Sequence, residues 1–402
     1  MSKHTGLGLS TRSILAGEAG NLSYQSVAPD MVLSTSFRAD YGASYSIEGQ
    51  QQEDIPFFYT RWGNPTIQQL EVKLAGLEQA EACVVFASGM AAVAGLFLYE
   101  LKAGDRLVIS DVCYAAVSEV TNELFPDLDI DVVKVNMTDA DQLREALTEE
   151  TRLVYTETPA NPILRLTDLE LVVKEARKVK ARVAVDSTFA TPAATRPAEL
   201  GVDYVVHSLT KYINGHGDAM GGAILGSKED MEQIRRKILI KTGGVISPFN
   251  AWMIMRGLST FPIRMKAHEE HALEVAGMLE EHPNVTQVIY PGLPSHPQYE
   301  LARKQMDNFS GMLTFQVQDG ERAAKLMAEQ LEVVQYAVSL GHQHSLIYYM
   351  PTDEMLESTF LLTDEQEASY REYAGDGIFR MSVGLEDAED IIRDLKRILD
   401  QL

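Results

Sequence analysis

Cysteine is nearly missing from this chain of 402 residues: Cys83 and Cys113 are the only two. That is too few for a disulfide framework or a cysteine-rich metal site, and it suits a reducing compartment, so a cytoplasmic location is expected. Positive charge is also short. Against 58 Asp+Glu stand 35 Lys+Arg, a formal charge of −23, which repels nucleic acid and anionic lipid. Neither a nucleic-acid nor a membrane partner is expected. Residues 1–21 mix Lys3, His4, Arg12 and Glu18 with glycines and hold no apolar signal-peptide core, so export is not expected. There is no low-complexity bias and no fixed-period repeat. One nearly apolar run, 82–99, approaches the length of a membrane span. Ser88-Gly89 divides it into a β-type run, Cys83-Val84-Val85-Phe86, and an Ala- and Leu-rich helical run, so strand–turn–helix is the expected structure.

What is present is an ordinary globular composition, 45% hydrophobic, on a chain longer than the roughly 250–300 residues at which one core stops growing. From about Thr66, amphipathic helical stretches such as 169–178 alternate with short apolar runs at 83–87, 106–110, 131–135, 152–157, 182–186, 203–207 and 221–226. This alternation predicts an α/β fold with a mainly parallel seven-stranded sheet. Near Ser247-Pro248 the rhythm changes to longer helices, 265–281 the clearest, and ends in an amphipathic helix at 389–402. Three units are expected: an N-terminal segment 1–62, with a polar run at 48–54, that reaches a neighbouring subunit; a large domain 63–248; and a smaller α+β domain 249–402.

Three places carry chemistry. Ser208-Leu209-Thr210-Lys211 follows the apolar strand Tyr204-Val205-Val206, where an α/β sheet presents its ligands. A desolvated lysine there loses its proton readily and can form a Schiff base with an aldehyde cofactor; a lysine in general is a solvated surface charge. Asp186 ends the apolar run Val183-Ala184-Val185. Taken alone it suits a pyridinium nitrogen, a helix N-cap or a metal ion. Ser88-Gly89-Met90 places the N–H groups of a helix start where a phosphate could sit, although such turns are frequent without a ligand.

Together these features resemble the pyridoxal-phosphate (PLP) enzymes of cysteine and methionine metabolism, the group of cystathionine γ-synthase, cystathionine γ-lyase, methionine γ-lyase and the homoserine-ester sulfhydrylases. The resemblance runs from about Ser36 to the C-terminus. It is carried by Tyr59-Thr60-Arg61-Trp62-Gly63-Asn64-Pro65-Thr66, Ser88-Gly89-Met90, Glu157-Thr158-Pro159-Ala160-Asn161-Pro162, the Asp186 segment, Ser208 to Lys211 with Gly215-His216, Ser339-Leu340-Gly341, and Arg380-Met381-Ser382-Val383-Gly384.

The resemblance implies a PLP-dependent transferase of fold type I. Lys211 would hold PLP and shuttle protons, Asp186 would pair with the ring nitrogen, and Asn161 would bond the ring hydroxyl. Tyr114 would stack on the ring and serve as acid and base. Gly89 and Met90 amides, with Ser88, Ser208 and Thr210 beside them, would hold the phosphate, joined by Tyr59 and Arg61 from a partner subunit. Arg380, assisted by Ser339, would grip the α-carboxylate of a small amino acid. A homo-oligomer, a dimer of dimers, is implied.

The implied reaction is γ-elimination or γ-replacement on methionine, cystathionine or an O-substituted homoserine. Canavanine cleavage to homoserine and homoserine-ester sulfhydrylation stand as alternatives, as does a PLP-binding module without turnover. A hydrolase built on Cys113 or Ser88 lacks the Gly-x-Ser-x-Gly elbow.

The chain departs from the family in three places. Tyr114-Ala115-Ala116 lacks the glycine and thiol often found there, and Asp186 is followed by Ser187. A larger departure is His342-Gln343-His344-Ser345-Leu346-Ile347-Tyr348-Tyr349-Met350-Pro351-Thr352, which follows Ser339 and could contact a polar γ-substituent, pack as aromatic core or lie in solvent. Glu354 and Glu357, just beyond, could meet a cation or face water.

Overall fold

The computed structural model describes residues 7–16, 28–39, 41 and 57–402. The polar run at 48–54, expected to reach a neighbouring subunit, lies outside the described residues.

Seven strands form the larger sheet: β1 Ala82–Phe86, β2 Arg106–Ser110, β3 Asp131–Val135, β4 Thr151–Glu157, β5 Arg182–Asp186, β6 Tyr204–Ser208 and β7 Gly222–Gly226. Their order is β1-β7-β6-β5-β4-β2-β3. From β3 through β6 neighbours pair in parallel, whereas β7 runs antiparallel to both β1 and β6. Both faces of the sheet are covered, so the strands read as continuous apolar runs rather than alternating ones. Val84, Leu107, Ile109 and Tyr155 face one helical layer, and Val108, Val154, Val183 and Val185 face the other.

Side-chain caps set where the helices begin. Asn64 Oδ1 accepts the Thr66 N–H at 2.9 Å and Pro65 opens the helix Pro65–Glu78. Ser88 Oγ accepts the Ala91 N–H at 3.1 Å and starts Gly89–Glu100. The apolar run 82–99 is therefore a strand and a capped helix, and among the described residues no helix is long and apolar enough to cross a membrane. Asp168 caps Leu169–Lys178 in the same way.

A second sheet holds β8 Val285–Ile289, β9 Met312–Val317, β10 Gln335–Tyr336, β11 Leu346–Pro351 and β12 Gly377–Ser382, in the order β10-β11-β12-β9-β8. The helices Phe261–Glu281 and Ala388–Leu399 bury Val275, Leu279, Ile391 and Leu395 against Phe315 and Phe379 of this sheet. The first of them begins four residues before the expected 265, because Pro262 is tolerated in a first turn, where its missing N–H has no partner to lose. The last ends at Leu399, short of 402.

This topology gathers one edge of the large sheet. The C-terminal ends of β1, β2, β4, β5 and β6 carry Ser88, Tyr114, Asn161, Asp186 and Ser208, and reversed β7 starts there, with Gly222 opposite both Phe86 and Ser208.

Candidate active site

The phosphate side is built by close approach of backbone. A Cβ on Gly89 would stand 2.9 Å from Ser208 Cβ, and one on Gly222 would stand 2.1 Å from the Ser88 carbonyl oxygen. Glycine at both positions lets β1, β6 and β7 draw together. Ser88 Oγ is committed to its cap, so what this turn offers a phosphate is the first-turn N–H groups of Gly89 and Met90. Ser208 is anchored by its N–H to Thr188 Oγ1 at 2.8 Å, and Gly221 N–H donates to Thr210 Oγ1 at 3.2 Å. Arg61 lies elsewhere on the chain: its Nη1 donates to the Ile240 carbonyl at 2.6 Å and its guanidinium stands 5.5 Å from the centre of the exposed Tyr59 ring.

Asp186 is buried at the end of β5. Oδ1 accepts the Thr188 N–H at 2.9 Å and Oδ2 receives the Tyr155 hydroxyl at 3.4 Å. Among the described residues no lysine or arginine pairs with it, and burial pushes its carboxyl pKa up. A buried carboxylate without a cation is an energetic liability that a protonated ring nitrogen would relieve. The residues present therefore fit PLP. On the neighbouring strand β6, the buried His207 has its Nε2 3.3 Å from the buried Glu78 Oε2.

Lys211 is the candidate reactive amine. Lys211 Nζ donates to Ser339 Oγ at 3.0 Å, and burial, with the Arg380 charge adding to it, lowers its pKa to about 8. Ser339 in turn approaches Arg380, whose Nη2 reaches the Ser339 carbonyl at 3.4 Å while Nη1 donates to Asn161 Oδ1 at 2.9 Å. Glu157, buried at the end of β4, locks the neighbouring loops: Oε1 accepts the Asn161 N–H and Oε2 the Tyr114 N–H, both at 2.7 Å. Burial and the nearby Asp186 push its carboxyl pKa well up. The Tyr114 side chain is exposed at the mouth of the site.

Lys211, Asp186, Asn161, Ser339, Arg380 and Tyr114 thus converge, with Ser88 to Met90, Ser208 and Thr210 beside them. Tyr59 and Arg61 make no described contact with Lys211 or Asp186 within the chain. The atypical 342–352 segment divides. His342 Nε2 lies 3.3 Å from Ser339 Oγ, whereas His344 faces outward toward Glu386 and Tyr349 packs on Phe379 in the core. Glu354 and Glu357 are exposed. Cys113 is buried and its thiol pKa is raised by burial, so it is no thiolate nucleophile. No group of metal-ligating side chains exists among the described residues.

Sequence reasoning left Glu157, Tyr155, Glu78 and His207 without roles. The signal for Glu157 was a carboxylate closing an apolar strand, the same pattern that singled out Asp186.

The chain matches the family model described as Cys/Met metabolism PLP-dependent enzyme over residues 10–400. It is 41% identical over 400 residues to the L-methionine gamma-lyase of Fusobacterium nucleatum subsp. polymorphum, covering 98% of both chains. It is 42% identical over 346 residues to the canavanine gamma-lyase of Pseudomonas canavaninivorans, covering 85% of this chain and 84% of that one. Among solved structures, the cystathionine gamma synthase of Xanthomonas oryzae pv. oryzae superposes with a TM-score of 0.88 at 34% identity over 99% of each chain. With nearly the whole length matched and the lysine and arginine of the motif joined through Ser339, the chain belongs to the PLP-dependent enzymes of Cys/Met metabolism.

Proposed function

We propose that this enzyme removes or replaces the γ-substituent of a homoserine-type amino acid such as methionine, cystathionine or an O-substituted homoserine. The observation that carries the reading is Ser339, which joins the Lys211 amine through its hydroxyl and the Arg380 guanidinium through its carbonyl. A proton-transfer group and a carboxylate-binding group thereby share one anchor, as an α-amino acid requires. Arg380 and Ser339 bind the α-carboxylate and hold the Cα–H toward Lys211. Lys211, with a pKa of about 8, takes that proton and returns it to carbon. PLP, when bound, supplies the electron sink. Asp186 would keep the ring nitrogen protonated, Asn161 would bond the ring hydroxyl, and Gly89, Met90, Ser208 and Thr210 would hold the phosphate. Tyr114, which is exposed, would stack on the ring and deliver a proton to the leaving group.

Tyr59 and Arg61 of the partner subunit would complete the phosphate site in a dimer of dimers, which accounts for their exposure within one chain. The PLP site belongs to a large domain at 63–248, with 249–402 contributing Ser339 and Arg380. The two free thiols, both buried, suit a reducing cytoplasm.

A second reading, cleavage of canavanine, is favoured by a cavity of about 370 Å³ beside Ser339. Its lining includes Thr210, Asp218, Asn250 and His342, and the Asp218 carboxylate suits a cationic γ-substituent.

The test is a mass-spectrometric product screen of PLP-loaded protein with methionine, cystathionine, canavanine and acylated homoserines, each with and without a thiol. 2-Oxobutanoate identifies elimination, a new thioether identifies replacement, and homoserine from canavanine identifies the second reading. No product from any substrate overturns both and leaves a PLP-binding module.

A further inference from the structure

His342 has no part in the mechanism above, yet it stands one hydroxyl away from the reactive amine. Lys211 Nζ to Ser339 Oγ is 3.0 Å and Ser339 Oγ to His342 Nε2 is 3.3 Å. The turn that holds this chain is tightly determined. Ser339 adopts φ +86°, a backbone conformation that side chains other than glycine enter only when their surroundings enforce it. Gly341, at φ +72°, presses so close that a Cβ would lie 2.5 Å from the Tyr212 nitrogen, and its N–H donates to Ser382 Oγ at 2.8 Å. The His342 ring lies against Gly217, where a Cβ would come within 2.9 Å of ring atoms. Ring, hydroxyl and amine are therefore held in line from both sides.

We propose that His342 is a positioning residue that acts on Lys211 through Ser339. A hydroxyl has one proton to donate and two lone pairs to offer. When the Ser339 O–H donates to His342 Nε2, its lone pairs turn to the Lys211 amine and stabilise the ammonium form. Without an acceptor at position 342 the hydroxyl rotates freely and Lys211 loses that support. The arrangement needs an unprotonated Nε2. Burial and the Lys211 charge lower the His342 pKa, with His344 acting in the same direction and Asp218 opposing. On the amine's side the other charge is Arg380. In acid, imidazolium donates instead and competes with Lys211 for the hydroxyl oxygen.

The inference deepens the proposed function and rests on Lys211 being its reactive amine, but its test needs no turnover. In full-length protein stripped of PLP, the proton affinity of Lys211 is read from its rate of trace acetylation against pH, by peptide mass spectrometry. His342→Phe is expected to lower that affinity roughly three- to tenfold, the worth of one hydrogen bond between neutral groups. His342→Gln, which keeps a carbonyl acceptor, is expected to stay within roughly twofold of the parent. An unchanged titration in His342→Phe overturns the inference, as does a fall in His342→Gln as large as that in His342→Phe. If His342→Phe does not fold, His342→Ala takes its place. In a Ser339→Ala background, replacing His342 should leave Lys211 unmoved, and an undiminished effect there overturns the route through the hydroxyl. Failure of the wild type to bind PLP with visible absorbance would sink the proposed activity and not this measurement, which is made without cofactor.

Discussion

Arg380 of β12 and Asn161 of the loop after β4 meet across the two sheets, with Nη1 donating to Oδ1 at 2.9 Å. The guanidinium is oriented before any substrate arrives, so its second edge can take a carboxylate without first being ordered. Its positive charge also lowers the proton affinity of the buried Glu157, which fixes the backbone at Tyr114 and Asn161.

Arg380→Ala is therefore expected to lower kcat/KM by roughly 10²–10³-fold, mostly through KM, while PLP absorbance is retained. Arg380→Lys, which keeps charge but not the planar fork, should fall between. Steady-state kinetics with the substrate identified by the product screen decide it, and an unchanged KM for Arg380→Ala would remove the residue from the carboxylate site.

Lys211 offers a prediction about stability as well as chemistry. Its pKa in the folded chain is about 8 against an ordinary 10.5. Between those values the unfolded chain binds the proton and the folded chain does not, so this group makes stability rise with pH across that window. At neutral pH both states are protonated and the buried ammonium costs about 3 kcal/mol. Cofactor-free Lys211→Met should accordingly be more stable than the parent near neutrality, by up to that amount, and should lack the alkaline rise. Urea unfolding at several pH values measures both. Parallel pH curves for the two proteins would refute the depressed pKa, and survival of the PLP absorbance in Lys211→Ala would refute the attachment site.

The large sheet was legible because its strands are buried on both faces and read as short apolar runs, several ended by a single polar residue, as Asp186 and Ser208 end theirs. The 342–352 segment was not legible because its residues divide by strand alternation. Within β11, Tyr348 stands opposite Arg380 and shares its face, while Tyr349 stands opposite Phe379 and packs with the core. Nothing in the composition of that run distinguishes the two tyrosines until the register with β12 is known. His342 and His344 separate for a similar reason: the turn at Gly341 points one inward and leaves the other outside.

Asp186 should separate cofactor binding from folding. Burial raises its pKa in the cofactor-free chain, so the ionised carboxylate opposes folding as pH rises above its ordinary value of 3.8. Asp186→Asn removes that charge at nearly constant shape, and the cofactor-free Tm is expected to stay level or rise. Added PLP should then raise Tm less than in the parent, with an affinity loss of roughly tenfold or more. Thermal melts with and without PLP test this. An equal PLP-induced gain in both proteins would show that Asp186 does not face the ring nitrogen.

Gly222→Ala tests the phosphate side through backbone alone. A Cβ there would lie 2.1 Å from the Ser88 carbonyl oxygen, 2.5 Å from its carbon and 2.8 Å from Gly89 Cα. All three are main-chain atoms, so no side chain can swing aside; the start of Gly89–Glu100 must move instead. A loss of roughly 1–3 kcal/mol in stability is expected, together with weaker PLP binding, because the Gly89 and Met90 N–H groups shift with the turn. Gly277→Ala is the matched control. It lies within the helix Phe261–Glu281, and its Cβ would meet nothing within 4 Å, so the same substitution should stabilise by up to about 1 kcal/mol and leave PLP binding unchanged. Weakened PLP binding in the first variant and not the second would tie the Ser88–Gly222 approach to the cofactor; weakening in both would mean that PLP affinity follows general disturbance of the fold.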